Sequence, residues 1–390
     1  MKVLIHSLAA LEIGGSDRHL RGMLSALKEF SPDTTFLLYI NNSFRIVDKP
    51  DNVNVNTIST RGTWQRMYWD QLVLPKIVKK EGVDIIWATL GFGPLKPPVP
   101  QIMFQRNAIY YNDFYFQGLN FYNKTLLGMR RWMLSKIMES SSFVIAPTVA
   151  MRDMILGIHA DINPEKFKVI PHAVSPDGMN SNLPENIIHK INCCTPETIK
   201  FLYVGYILPE KDLFNVLDAV AMTMADVSVP IKFFLTISRD DWTEGYDLFV
   251  RKISDMGLTG NVEIIGKLSG ECMGTLYRAC DVLIYPSICE SFGFPLYEAL
   301  SQGIPIVAAD TAVNREAAGP CALYYQPFGL RAIASALQKI VNDPAVRESL
   351  GKDGKIRFMK NHLLWSDYCA RCLDLSREAI AIYKNKKRNN

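Results

Sequence analysis

Apolar residues in this chain fall in short unbroken runs, separated by longer stretches in which they recur at helical spacing. The runs at Lys2–Ser7, Thr35–Ile40, Asp84–Ala88, Gln101–Gln105, Phe143–Ala146 and Lys168–Ile170, and the alternating Val53–Ile58, predict strands. Helical spacing fills Ser16–Phe30, Trp64–Lys80 and Thr125–Glu139. A polar stretch marked by Pro176, Pro184 and Pro196 follows, and then the pattern restarts. Its second series predicts strands at Phe201–Val204, Ile231–Ile237, Val262–Ile265, Val282–Tyr285 and Ile306–Ala308. The helices of that series are expected over Leu213–Met224, Leu296–Ser301, Leu330–Val341 and Ser366–Tyr383. Strand–helix alternation twice over predicts an α/β chain of two doubly wound, Rossmann-like domains. Domains are expected at 1–175 and 199–365, joined by a linker at 176–198. The tail KNKKRNN, 384–390, reads as disordered.

Composition narrows the function classes. A chain of 390 residues with 48% hydrophobic residues can bury two cores. The net charge of +4 is mild and does not suggest a nucleic-acid partner. No apolar run approaches the ~18 residues of a membrane helix. The N-terminal stretch must be weighed as a signal peptide, but His6 interrupts it and no small-x-small cleavage site follows cleanly. A cytoplasmic chain is expected. The eight cysteines are scattered, and reduced thiols are the simplest reading. The one C-x-x-C, Cys369 and Cys372, has no second pair and is weak as a zinc signal. Neither Asp-x-Asp nor His-Glu-x-x-His occurs. No metal and no cofactor are expected.

The densest chemistry lies in Tyr285–Asp310, YPSICESFGFPLYEALSQGIPIVAAD. Glu290 sits in a loop after a strand, and Glu298 about one turn into the following helix. Pro295 suits a helix's first turn, where its missing N–H is no loss. The N–H groups of Gly293, Phe294 and Leu296 can converge on one point, which the helix dipole makes attractive to an anion. Carboxylates beside an anion site make sense if the anion's other end offers hydroxyls.

This run resembles the E-x7-E motif of retaining glycosyltransferases of the GT-B fold (glycosyltransferase family 4, glycosyl transferases group 1). The resemblance implies two domains facing across a cleft, with the C-terminal helix, 366–390, packing back on the first. It also implies transfer of a hexose from a nucleotide-diphosphate sugar to a saccharide or lipid-linked acceptor. Retention by same-face attack, independent of metal, would follow. Glu290 would contact the transferred hexose and Glu298 the ribose, with Lys211, in PEKD, holding the diphosphate. The family has an arginine where this chain has Tyr206. Gly14 and Gly15, in the turn after the first strand, would face the donor phosphates. Gly266 and Lys267 open the loop that surrounds the base in relatives.

The acceptor side is read from the first half. Arg106 and Asn107 end a strand where open α/β sheets place their ligands, in a run, FQRN, that lacks the histidine of many relatives. His172 lies in IPHAVSPD, which resembles the family's inter-domain segment. Tyr110, Tyr111 and Phe114–Phe116 either line an acceptor pocket or pack as ordinary core. The basic stretch 124–139 either docks on its own sheet or lies on the inner face of a membrane as a peripheral contact. Two further readings stay open. One is a GT-B nucleotide-sugar 2-epimerase; the other is a catalytically inactive nucleotide-sugar-binding protein.

Overall fold

The computed structural model describes residues 1–10, 14–30, 34–46, 49–60 and 62–389. The chain divides into two units, Met1–Ala173 with Leu363–Asn390, and Val174–His362.

The first unit holds seven parallel strands: β1 (Lys2–Ser7), β2 (Thr35–Asn41), β3 (Val53–Ile58), β4 (Ile85–Ala88), β5 (Gln101–Phe104), β6 (Phe143–Ala146) and β7 (Phe167–Val169). Their order is β3-β2-β1-β4-β5-β6-β7. The register sets Val3 opposite both Phe36 and Ile85, all fully buried, which is why the strands read as unbroken apolar runs. The helix Gly15–Leu27 buries Leu20, Met23 and Leu27 on this sheet. Trp365, Tyr368 and Cys372 of the C-terminal helix Trp365–Asn389 join the same core. Gly22 is the contact point. A Cβ there would lie 2.0 Å from the Trp365 ring, so only glycine lets the two helices close. Polar ties add specificity: Trp87 Nε1 donates to Ser376 Oγ at 2.8 Å, and the Tyr383 hydroxyl donates to the Pro98 carbonyl at 2.9 Å.

The tail is helical to Asn389 rather than disordered from 384. Lys386, Lys387 and Arg388 occupy its last turn, where cations complement the helix dipole. The predicted helix Trp64–Lys80 is continuous from Gly62 but contains a π turn, Trp69–Val73, that turns Trp69 and Asp70 inward. Asp70 Oδ1 there meets His6 Nε2 at 2.7 Å.

The second unit holds β8 (Ile199–Tyr203), β9 (Ile231–Leu235), β10 (Val262–Ile264), β11 (Val282–Tyr285), β12 (Ile306–Ala309) and β13 (Ala322–Tyr325), all parallel. Their order, β10-β9-β8-β11-β12-β13, puts a topological switch point between β8 and β11. Residues 176–198 are not a free linker. Pro176 and Pro184 each begin a helical turn, as proline at a helix start does, leading into Pro176–Met179 and Glu185–Asn192. Met179, Leu183 and Ile187 are buried with Leu202 and Leu276 in the core of this unit.

Candidate functional site

In open α/β sheets, ligands collect beyond the carboxyl ends of the strands at the switch point. In the second unit that places the loops after β8 and β11 side by side. The β8 loop ends in a 3-10 turn, Pro209–Lys211. Asp212, in a left-handed conformation at φ 46°, then turns the chain into the helix Leu213–Asp226. The β11 loop carries Ser287 and Glu290. Lys211 Nζ is paired with Glu290 Oε1 and donates to Ser287 Oγ at 2.9 Å. Ser287 Oγ in turn donates to Glu290 Oε1 at 2.8 Å.

Backbone ties hold the two loops in this register. The Ile288 N–H donates to the Glu210 carbonyl at 3.1 Å. Buried Asn314 Nδ2 donates to the carbonyls of Ser287 at 3.0 Å and Ala309 at 2.9 Å. Burial alone would raise the Glu290 pKa, but the Lys211 ammonium and the Ser287 hydroxyl outweigh it and hold the carboxyl below its usual range. Burial would likewise lower the Lys211 pKa, and the Glu290 carboxylate instead raises it. Both groups are therefore charged in a largely dehydrated place, where charge is strongly felt.

The helix after Glu290 begins at Phe294 and runs to Gln302. Gly293 caps it at φ 84°, a conformation that favours glycine, and Pro295 lies in its first turn. One expectation fails here. The Leu296 N–H donates to the Gly293 carbonyl at 2.9 Å, closing the tight cap, so it is not available to an anion. Glu298 lies one turn along the helix, buried, with its Oε2 accepting from the Tyr277 hydroxyl at 2.9 Å.

Tyr206 and Lys267 come together. Lys267 Nζ lies 5.1 Å from the centre of the Tyr206 ring and 2.5 Å from Asp241 Oδ1. Asp241 Oδ2 also accepts from the N–H groups of Ser238 at 3.0 Å and Ile207 at 3.3 Å. One carboxylate thus ties together the loops after β8, β9 and β10. Gly266, at φ 76°, precedes Lys267 with open space where its side chain would be. The position that the resemblance assigned to an arginine therefore has a lysine beside it, supplied by another loop.

The remaining expected residues lie in the first unit. Gly14, at φ 94°, caps the helix Gly15–Leu27, and Arg106 Nη2 donates to the Gly15 carbonyl at 2.8 Å. Burial lowers the Arg106 pKa to about 10. Asn107 Oδ1 accepts from the Ile109 N–H at 3.2 Å and caps the turn Ala108–Tyr110. His172, expected on the acceptor side, is buried, with its ring 4.8 Å from that of His19. Burial, and secondarily Arg106, hold both imidazoles well below their usual pKa, so both are neutral.

Four residues escaped sequence reasoning: Ser287, Asn314, Asp241 and Tyr277. Ser287 had a usable signal, standing three residues before Glu290 in the same loop. The others act through contacts 21 or more positions away in sequence, and no spacing rule reaches that far. Among the described residues no group of His, Cys, Asp and Glu could hold a metal ion, and the Cys369–Cys372 pair is buried as free thiols.

As chemistry, the second unit offers a buried ammonium, a charged carboxylate and a helix N-terminus at one switch point. That set can take an anion and hydroxyls together. Residues 186–357 match the family model described as glycosyl transferases group 1, and residues 13–177 match that of glycosyltransferase family 4. The MMP alpha-(1->4)-mannosyltransferase of Mycolicibacterium hassiacum is 26% identical over 177 residues, 45% of this chain and 41% of that one. The O-antigen chain mannosyltransferase B of Escherichia coli is 26% identical over 147 residues, 38% of each chain. The matched stretch thus spans about two fifths of either relative. Among solved structures, the sucrose-phosphate synthase of Thermosynechococcus elongatus superposes with a TM-score of 0.78 over 98% of this chain and 99% of that one, at 16% identity. That likeness shows the GT-B fold. With a family model on each of its two Rossmann-like units, the chain belongs to glycosyltransferase family 4, the glycosyl transferases of group 1.

Proposed function

We propose that this glycosyltransferase moves a hexose from a nucleoside-diphosphate sugar to a saccharide or lipid-linked acceptor, with retention and without a metal ion, in the building of a glycan. The observation that carries the reading is Lys211, Ser287 and Glu290 meeting beside the helix that starts at Phe294. Lys211 and Glu290 neutralise each other until a diphosphate competes for the ammonium. Lys211 then neutralises the charge that grows on the leaving phosphate oxygen, which is where preorganised donors act most strongly. Glu290, released, accepts from hydroxyls of the hexose, and Ser287 is within reach of either partner. The Gly293 and Phe294 N–H groups add backbone donors. Glu298, oriented by Tyr277, accepts from the ribose hydroxyls.

In the transfer, the bond from C1 to the phosphate oxygen breaks and the acceptor oxygen bonds to C1 on the same face. The acceptor proton passes to the departing phosphate, so the step balances without a protein nucleophile. Metal independence is supported by a charge set that already includes Lys211 and, beside Tyr206, Lys267. A panel of UDP-, GDP- and ADP-sugars with an acceptor pool tests the reading. Transfer product is expected, whereas an epimerised sugar nucleotide, or binding without turnover, would favour one of the other readings.

A further inference from the structure

The helix Phe121–Ser140 buries Leu127, Leu134, Ile137 and Met138 in the first unit and leaves its other side to solvent. Along that side Phe121, Thr125, Gly128, Trp132 and Lys136 follow at three- and four-residue intervals. Phe121 is 87% exposed, its neighbour Tyr122 74% and Trp132 58%. A second outward stripe runs along 62–80, with Trp64 (69%), Tyr68 (61%), Leu72 and Lys76 spaced by four. Arg130 Nη2 donates to Thr63 Oγ1 at 3.1 Å, fastening the two helices one residue from Trp64 and two from Trp132.

Apolar side chains scattered singly on a surface need no explanation, but a cluster does. Among the described residues seven large aromatics are exposed, and six of them fall between Trp64 and Trp132. The surrounding charge has one sign. Residues 62–80 and 121–140 together carry eight Lys and Arg against two acids. Both acids are already engaged, Asp70 by His6 and Glu139 by Lys136.

We propose that this two-helix face docks on an anionic lipid surface. Tryptophan and tyrosine settle at the headgroup level, where one end of the ring meets hydrocarbon and the other meets water. Lysine and arginine beside them gain from the negative leaflet potential. No described helix is long and apolar enough to cross a membrane, so the contact is one that lies on the surface. The stretch 124–139 thus does both things its sequence allowed: one side packs on the protein, and the other meets lipid. The inference goes beyond the proposed function without resting on it, since lipid binding is read with no transfer taking place.

The test is flotation of the full chain with vesicles of phosphatidylcholine, with or without phosphatidylglycerol. Wild-type protein should float with the anionic vesicles and be released by salt. Trp64→Ser/Phe121→Ser/Trp132→Ser should lower partitioning by about tenfold or more, given the apolar area withdrawn from the interface. Lys76→Glu/Lys136→Glu should lower it on anionic vesicles only. Wild-type circular dichroism and an unchanged nucleotide affinity confirm that the variants are folded. If the triple variant does not fold, the charge variant alone decides. The proposal is overturned if wild-type protein stays with the soluble fraction, or if neither variant changes the partition. It is also overturned if sedimentation shows a wild-type dimer that the triple variant dissolves, because the face then covers a second copy of this chain.

Discussion

Replacing Lys211 by alanine is predicted to turn Glu290 from a stabilising group into a destabilising one. Burial pushes the Glu290 pKa up, and the Lys211 ammonium is the largest influence pulling it down. Without that ammonium the carboxylate stays in a largely dehydrated place with only neutral hydroxyls, those of Ser287 and Tyr285, to hold it. Breaking such a pair from one side costs about 3–5 kcal/mol. The two side chains are 15% and 19% exposed, which puts the expected cost near the low end, about 3 kcal/mol. At roughly 2–4 °C per kcal/mol for a unit of this size, the second unit should melt about 6–12 °C lower.

The pH dependence gives the sign. In wild-type protein the folded pKa of Glu290 lies below its usual 4.5, so its stabilisation is present above that value and lost as the pH falls through the folded one. In the variant the folded pKa lies above the unfolded one. The penalty is then full at neutral pH and fades as acid protonates the carboxyl in both states. Calorimetry from neutral pH down to about pH 4 should therefore show the gap between variant and wild type closing. The Lys211→Ala/Glu290→Gln double variant should recover most of the loss at neutral pH. A single variant that melts with wild type throughout, or a double variant no better than the single, would refute the reasoning.

Glu298→Ala should weaken donor-nucleotide binding by roughly 1.5–3 kcal/mol in titration calorimetry, the worth of hydrogen bonds to a charged group. Glu290→Ala should lower kcat more than it changes nucleotide affinity if, as proposed, its partner is the transferred sugar; steady-state kinetics separates the two. Tyr206→Arg alone should tighten nucleoside-diphosphate binding by no more than about threefold, because Lys267 already stands over that ring and repels a second cation; combining it with Lys267→Ala should reveal the larger gain. Transfer should persist within about twofold after chelator treatment, since several kcal/mol of transition-state stabilisation would vanish with a required metal.

The parts of this molecule legible in its sequence are those governed by local rules. β1, β6 and β11 match their apolar runs because parallel strands buried on both faces have no polar side. Pro295 and Gly293 marked the helix start that follows Glu290. Other parts obey contacts that periodicity does not record. The helix Pro344–Asn361 went unpredicted because it packs through glycines. Gly354 lies against Leu300, and a Cβ on Gly351 would come within 2.3 Å of the Gly303 carbonyl. The stretch 176–198 was read as a linker because its prolines suggest loop, yet they begin helical turns whose few apolar residues are buried. Leu296 seemed to offer its N–H until the cap geometry used it, and His172 was open to a ligand only until His19 and Tyr368 closed around it. At the site, the glutamates and Lys211 were visible as a pattern, while Asn314, which ties the Ser287 carbonyl, and Asp241, which holds Lys267, were found only in three dimensions.

In the proposed reaction Lys211 and Glu290 form the seat of glycosyl transfer from a nucleoside-diphosphate sugar. Its most direct test is to incubate wild-type protein, Lys211→Ala and Glu290→Ala with the preferred nucleotide sugar and acceptor, and to follow nucleoside-diphosphate release together with the anomeric proton of the product. Stoichiometric release and transfer with the donor's anomeric configuration are expected in wild-type protein, with a fall in turnover on the order of 10²-fold or more in Lys211→Ala. Transfer at near wild-type rates in both variants would contradict it, because the diphosphate would then be held somewhere other than the β8–β11 switch point.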